Sequence, residues 1–278
     1  MEHGAAPKYA AAAIAEAGAL LVTAGAGMGV DSGLPDFRGD QGFWRAYPPF
    51  QKLGLSFVDL ANPRWFQSDP ALAWGFYGHR LNAYRAAQPH AGFARLREWM
   101  GAKAQGGFVF TSNVDGQFER AGFDAARIVE CHGSLHHVQC TRNCGAGIAS
   151  AEAVRVVVDE TTMRACDPLP NCGCGALLRP NVLMFGDSYW DDARTRAQEE
   201  RLDELLARVP LRRVVVVELG AGRAVPTVRH FGERLAALGA TLVRINPREP
   251  EVPAQLGARA IGVPLGALEG VEAIAAAQ

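Results

Sequence analysis

The chain has 278 residues, 49% of them apolar, with 28 Lys and Arg against 29 Asp and Glu for a formal net charge of −1. That is enough apolar material for one large core, or for one core carrying a smaller insert. The balanced charge argues against direct nucleic-acid binding or an anionic membrane surface as the main business of the chain, and no apolar run is long enough to span a bilayer.

The Ala-rich stretch 10–23 has the look of a leader segment. It carries Glu16, has only Lys8 as nearby positive charge, and runs straight into a glycine motif. A short helix feeding a first strand is the better expectation, and a cytoplasmic location follows from it. In that compartment the six cysteines are metal ligands or thiols rather than disulfides.

Short runs rich in Val, Leu and Ile, bounded by Gly, Asn or Pro, predict strands at 19–23, 107–111, 128–131, 213–219, 241–245 and 260–263. Several are continuous rather than alternating, the pattern of parallel strands covered on both faces. Between them lie helical patterns. Asp69 as N-cap and Pro70 at the first helical position start one that runs to about Arg85. Phe93, Leu96 and Met100 share a face of the next, 90–103. Others are expected at 191–208, 223–238 and 264–276. Strands alternating with helices predict an α/β fold with a parallel sheet. Two stretches break the rhythm and are expected to form a smaller inserted module: 39–67, rich in aromatics, Gly and Pro, and 140–174, which holds five of the six cysteines.

The first strand leads into Gly25-Ala26-Gly27-Met28-Gly29. Glycines after a strand let backbone N–H groups approach a pyrophosphate. The dehydrogenase fingerprint would put a third glycine at Val30, so the loop by itself is equally a plain glycine turn. The next residues add chemistry. Asp36, Phe37 and Arg38 put a carboxylate, a ring and a guanidinium side by side, in a loop fixed by Pro35 and flanked by Gly33 and Gly39. A carboxylate can hold a carboxamide, a ring can keep water off a reactive sugar carbon, and an Arg can meet phosphate. An ordinary turn with an Asp–Arg pair is the alternative.

The strand at 107–111 ends in Ser112-Asn113-Val114-Asp115, polar groups where α/β proteins bind ligands, though Asn113 or Asp115 would also serve as a helix cap. His132 directly precedes Gly133 at another strand end, and imidazole suits a general base near neutral pH. His136 and His137 are read as structural, and Cys131 as core, because strand neighbours face opposite ways. Cys140-x3-Cys144 and Cys172-x-Cys174 offer the four thiolates of a closed structural zinc site, with Cys166 as a spare thiol able to replace one of them.

The ordered set closely resembles the sirtuin family. It comprises Gly25 to Met28, Leu34 to Arg38, Thr111-x-Asn113-Val114-Asp115, His132-Gly133, the two cysteine pairs, Arg179 to Asp187, Gly220 to Gly222 and Ile245-Asn246, and it covers the chain from about 20 to 263. The resemblance implies a Rossmann-like NAD-binding domain built from 1–38, 104–135 and 176–278. Within it would lie a helical and loop insert, 39–103, forming part of a small domain, and a zinc-binding module, 136–175. It also implies NAD as co-substrate, Zn2+ as structural metal, and an acylated lysine of a protein or peptide as partner.

Carried over by position, Gly25, Gly27, Gly29 and Ser112 would be among the cofactor-binding residues, Ala26, Leu34 and Asp36 would surround the nicotinamide, Phe37 would shield the reactive carbon and Arg38 would meet phosphate. Asn113 and Asp115 would hold ribose and carboxamide, and Gly220, Ala221, Gly222 and Asn246 the phosphate and adenosine end. The implied reaction is attack of the acyl oxygen on the ribose C1′ with loss of nicotinamide. His132 would act as base, and O-acyl-ADP-ribose and free lysine would be the products. Met184, Phe185 and Gly186 belong to the edge, 182–186, that would pair with the substrate backbone. Tyr77 and Arg80 match the Tyr-x-x-Arg pair of sirtuins that act on succinyl- or malonyl-lysine.

There are departures. Gly29 stands where the family usually has Ser, Ser112 where it has Gln, and Ala221-Gly222 where it has Thr-Ser. They leave room for transfer of ADP-ribose to another nucleophile or to water, and for a non-catalytic scaffold, as second and third readings.

Overall fold

The computed structural model describes residues 5–36 and 39–278. In chain order the first half runs α1 (Ala6–Glu16), β1 (Ala19–Ala24), a 3-10 turn (Ala26–Ser32), α2 (Gly39–Ala46), α3 (Pro48–Lys52), α4 (Phe57–Leu60), α5 (Trp65–Ser68), α6 (Pro70–Ala86), α7 (Ala91–Gly101), β2 (Gly107–Thr111), α8 (Gln117–Arg120) and β3 (Ile128–Glu130). The second half runs β4 (Gly133–Cys140), β5 (Ile148–Ser150), β6 (Val158–Asp159), β7 (Arg164–Ala165), β8 (Leu178–Val182), α9 (Ala193–Arg208), β9 (Val214–Leu219), α10 (Thr227–Ala237), β10 (Thr241–Ile245), β11 (Ala260–Val263) and α11 (Ala267–Ala275).

Six strands form one parallel sheet in the order β11-β10-β9-β1-β2-β3. This is the doubly wound arrangement, in which the order reverses between β1 and β9 and leaves a crevice beyond their carboxyl ends. The continuous apolar runs are explained by two covered faces. Along β1, Leu20, Val22 and Ala24 join one buried cluster with residues of α1, α7 and α11, while Ala19 and Leu21 join another with residues of α9 and α10. Every residue of β1 and β9 is buried.

The predicted helices are present, with shifted ends. Asp69 caps α6 as expected, its carboxylate accepting from Leu72 N at 3.2 Å with Pro70 next in line. The fourth expected helix begins at Thr227 rather than near Arg223, with Pro226 as its N-cap residue; a proline disfavours the helical region for the residue before it.

A second core joins α2 to α6 with the β4, β5, β8 sheet, centred on Phe43, Phe50, Trp74, Phe76 and Tyr77, all essentially inaccessible. The expected domain boundaries differ from this packing in two places. The segment 39–103 does not stay together: α7 puts Phe93, Leu96, Trp99 and Met100 into the large-sheet core. Residues 178–182, assigned to the large domain, pair with β4 as an edge strand of the small antiparallel sheet, with Gly133 opposite Val182 and Cys140 opposite Leu178. Neither has a local signal: β4 and β8 are about 40 to 50 residues apart, and α7 packs on β1 and on α11 at the far end of the chain.

Candidate active site and zinc-binding cysteines

At the switch point the loops after β1 and β9 touch. Gly25 N donates to Leu219 O at 3.0 Å and Gly27 N to Gly220 O at 3.1 Å. A Cβ on Gly27 would lie 2.7 Å from the Gly220 Cα, and Gly220 itself sits at φ +59 with its own Cβ position 2.4 Å from the Gly27 Cα. These two glycines are therefore required by backbone meeting backbone across the crevice. Gly27→Ala must push the loops apart. We expect it to lower stability by ~1–3 kcal/mol, the usual range for overpacking, read as a fall in Tm, and to weaken dinucleotide affinity in the same protein.

The end of β2 is fastened to the same place. Thr111 Oγ1 donates to Ala24 O at 2.9 Å, Asn113 N donates back to Thr111 Oγ1 at 3.0 Å, and Asn113 Nδ2 donates to Gly25 O at 3.0 Å. Ser112 is half-buried, and its N–H donates to Ala24 O at 3.1 Å. Asp115 is buried, one oxygen accepting from Gln117 N at 2.9 Å; the other lies 3.8 Å from where a Cβ on Gly29 would be. Burial first, then the nearby Glu130 carboxylate, pushes its carboxyl up to about 6. Leu34 is buried against Gly29, its N–H on Gly29 O at 3.0 Å, while Ala26 is exposed and Asp36 half-buried. Phe37 and Arg38, the expected shield and phosphate ligand, lie outside the described residues.

Asn246 is fully buried and its amide is engaged at both ends. Nδ2 donates to Ala221 O at 3.0 Å, and Oδ1 accepts from Arg248 N and Glu249 N at 3.0 Å. It braces the 220–222 turn, with which it was expected to hold the phosphate and adenosine end. Gly222 is open, with nothing within 4 Å of a Cβ there.

His132 follows β3 directly. Its ring Nε2 lies 3.3 Å from Thr227 Oγ1 on the first turn of α10, and its carbonyl accepts from Leu183 N at 3.0 Å. Burial holds the imidazole below its ordinary range, so the neutral, proton-accepting form predominates at pH 7. Cys131 faces the core as expected, and burial pushes its thiol up to about 12. Thr227 was not found from the sequence, nor was the pair Glu130–Arg194 at 2.6 Å that sits behind Asp115. A lone carboxylate inside the apolar run before His132 was the available signal for the pair; Thr227 had none.

The expected substrate residues fall in two groups. On α6, Tyr77 and Arg80 are both buried, with the guanidinium carbon 5.9 Å from the Tyr77 ring centre and 5.1 to 5.7 Å from Phe76, Tyr84 and Phe57. Arg80 Nε and Nη2 donate to Tyr84 Oη at 3.1 and 2.7 Å. Burial pushes the Tyr77 phenol up to about 12, so it stays a hydrogen-bond donor. Beyond β8, Met184 is buried, Phe185 is partly exposed and Gly186 adopts φ +70. Leu183 N donates to His132 O at 3.0 Å and Phe185 N to Ala61 O at 2.9 Å, which ties one side of this segment to the fold.

The Sγ atoms of Cys140, Cys144, Cys172 and Cys174 all lie within 4.8 Å of one another, with Cys140–Cys174 and Cys144–Cys172 at 3.6 Å. Tetrahedral zinc with Zn–S bonds of about 2.3 Å needs sulfurs roughly 3.8 Å apart, so the four thiols fit that ion and are too far apart for disulfides. Cys166 is exposed and outside the cluster, so it replaces none of them.

The family model described as Sir2 family matches residues 25–209. The chain belongs to the Sir2 family. It is 33% identical over 242 residues to NAD-dependent protein deacylase 1 of Archaeoglobus fulgidus, covering 85% of this chain and 84% of that one. To the mitochondrial NAD-dependent protein deacylase sirtuin-5 of Canis lupus familiaris it is 32% identical over 252 residues, covering 84% and 74%. Among solved structures, a Sir2 homolog–NAD complex is 27% identical with a TM-score of 0.67, covering 96% of this chain and 92% of the other.

Proposed function

We propose that this Sir2-family chain is an NAD-dependent protein-lysine deacylase, with acidic acyl groups among its substrates. The observation that carries the reading is the convergence, at the switch point of a doubly wound sheet, of the 25–34 loop, the Asn113–Asp115 strand end and the 220–222 turn. His132 stands at the end of β3, outermost of the strands on that side.

When bound, NAD supplies an electrophilic sugar carbon with a stable leaving group. Gly25, Gly27 and Gly220 leave backbone close to that crevice, and Asn113 and Asp115 present an amide and a carboxylate to ribose and carboxamide. His132 Nε2 or Nδ1, neutral at pH 7, accepts a proton from a ribose hydroxyl, while Thr227 orients the ring. The acyl oxygen is a weak nucleophile, so orientation and exclusion of water carry much of the rate. Zinc at the four cysteines, with every position taken by sulfur, would hold the small module and leave the chemistry to the crevice.

The test is nicotinamide release with an acetyl-lysine peptide, a succinyl-lysine peptide and no peptide. Peptide-dependent release with deacylated product is expected. Release that ignores the peptide would instead mean transfer of ADP-ribose to water or another nucleophile.

The acyl preference rests on Tyr77 and Arg80, a phenol and a guanidinium one helical turn apart in a buried aromatic cluster, and sirtuin-5 relatives are among the similar proteins. A charge-assisted bond is worth ~1.5–3 kcal/mol, so Arg80→Met should lower desuccinylation about 10- to 100-fold while sparing deacetylation. Tyr77→Phe keeps the shape of the pocket and should move the same ratio the same way, by less. Equal loss on both substrates in both variants would remove the acidic-acyl reading.

A further inference from the structure

Away from the crevice, a cavity of about 470 Å³ opens between α6 and the segment that follows β5, lined by Asn82, Arg85, His136, Ser150, Glu152 and Arg155. That volume lies in the range of small-molecule sites. Its chemistry is cationic. Arg85 and Arg155 both face it, and no ion pair joins either to a carboxylate among the described residues. Each is instead pinned by backbone. Arg85 donates to Val154 O at 2.8 Å and Ala151 O at 2.6 Å, and Arg155 donates to Val154 O at 3.0 Å and to Glu152 O. Asn82 Nδ2 donates to Val156 O at 3.0 Å.

Two guanidinium groups are thus held on adjoining walls at fixed positions. Burial first, and then the nearby Arg155 guanidinium, disfavour the charge on Arg85, while Glu152 favours it. Each guanidinium has five N–H donors, so both retain free ones after these bonds. An oxyanion between them would relieve the repulsion, and pre-placed guanidinium forks suit phosphate.

The cavity also touches the candidate active site. His136 Nε2 donates to Asp115 O at 2.9 Å, which leaves Nδ1 of that ring available to the cavity. The ring is packed so closely on Gly116 that a Cβ there would lie 2.5 Å from His136 Cδ2.

We propose that this cavity binds a phosphate-bearing small molecule, its phosphate held between Arg85 and Arg155. Asn82 and Ser150 face the rest of the ligand, and His136 carries occupancy to the Asn113–Asp115 strand end.

The probes are inorganic phosphate and glucose 6-phosphate, titrated into the intact chain by calorimetry at constant ionic strength against chloride, with ADP-ribose present to occupy the dinucleotide crevice. Saturable binding of either probe is expected. Tighter binding of glucose 6-phosphate would identify a phosphate ester as the natural kind of ligand, and equal binding would identify free phosphate. Arg155 is exposed and, among the described residues, bonded within its own loop, so Arg155→Gln should fold normally and weaken binding at least tenfold, while Arg155→Lys should restore part of it. The imidazole NMR resonance of His136, assigned by its loss in His136→Gln, should move on titration in wild type and stand still in Arg155→Gln. Heats no larger than those of chloride, or binding undiminished in Arg155→Gln, would overturn the proposal.

Discussion

His132→Ala is expected to lower peptide-dependent nicotinamide release by ~10²- to 10⁴-fold, the range supplied by a positioned general base, with little change in Tm. The pH profile carries a second expectation. Burial moves the folded-state pKa of His132 below its ordinary value, so the neutral base persists to lower pH than it would on an exposed ring. Asp115, pushed up to about 6, also protonates in this region. The acid limb of kcat/KM should therefore fall below pH 6.5 and be steeper than one proton allows, with two macroscopic constants that belong to the site as a whole. Stability follows the same sign. Unfolded His132 would take up a proton around pH 6.5 while the folded ring resists it, so the fold is weakened as pH falls below that value, and His132→Ala removes this part of the acid sensitivity. Wild-type turnover in His132→Ala would sink the assignment of the base.

Removing zinc is the second large effect. Cys140 ends β4, while Cys172 and Cys174 flank the tight turn before β8, closed by Cys172 N on Ala176 O at 2.7 Å. The metal would therefore tie the two turns at one end of the β4–β8 ladder. A structural four-thiolate zinc is worth ~10 kcal/mol or more to the unit it closes. Most of that would be lost in Cys172→Ser or on exhaustive chelation. The expected result is one zinc per chain in wild type, and in the variant loss of zinc, a much lower Tm and rapid proteolysis within 140–175. Cys166→Ser, outside the cluster, should keep its zinc. A Cys172→Ser protein with full zinc content and unchanged Tm would contradict the site.

Much of the large sheet was legible because its cause is local. A β-branched apolar run such as Val214–Val217 fits a parallel strand covered by helices on both faces, and the helix starting at Asp69-Pro70 is specified by its own cap. The small module was legible as an insert with a cysteine cluster, but its strand pairing was not. β5, β6 and β7 are only two or three residues long, β4 pairs β8 across about 40 to 50 residues, and Gly133 is forced on the pairing by the Asn181 carbonyl, 2.1 Å from where a Cβ would be. No periodicity records such a contact.

The site divides the same way. Its chemistry was present in the order of residues: glycines after β1, Asn113 and Asp115 after β2, His132 before a glycine, and two cysteine pairs. Which groups meet was decided in three dimensions. Gly27 is a glycine because Gly220 comes within backbone contact of it, Asn246 is spent on the turn below Ala221, and Thr227 reaches His132 from 95 residues away. Residue types are chosen by the chemistry they perform, and that choice is written in the chain. The neighbours that tune burial, charge and orientation are chosen by packing between distant segments, which only the folded sheet brings together.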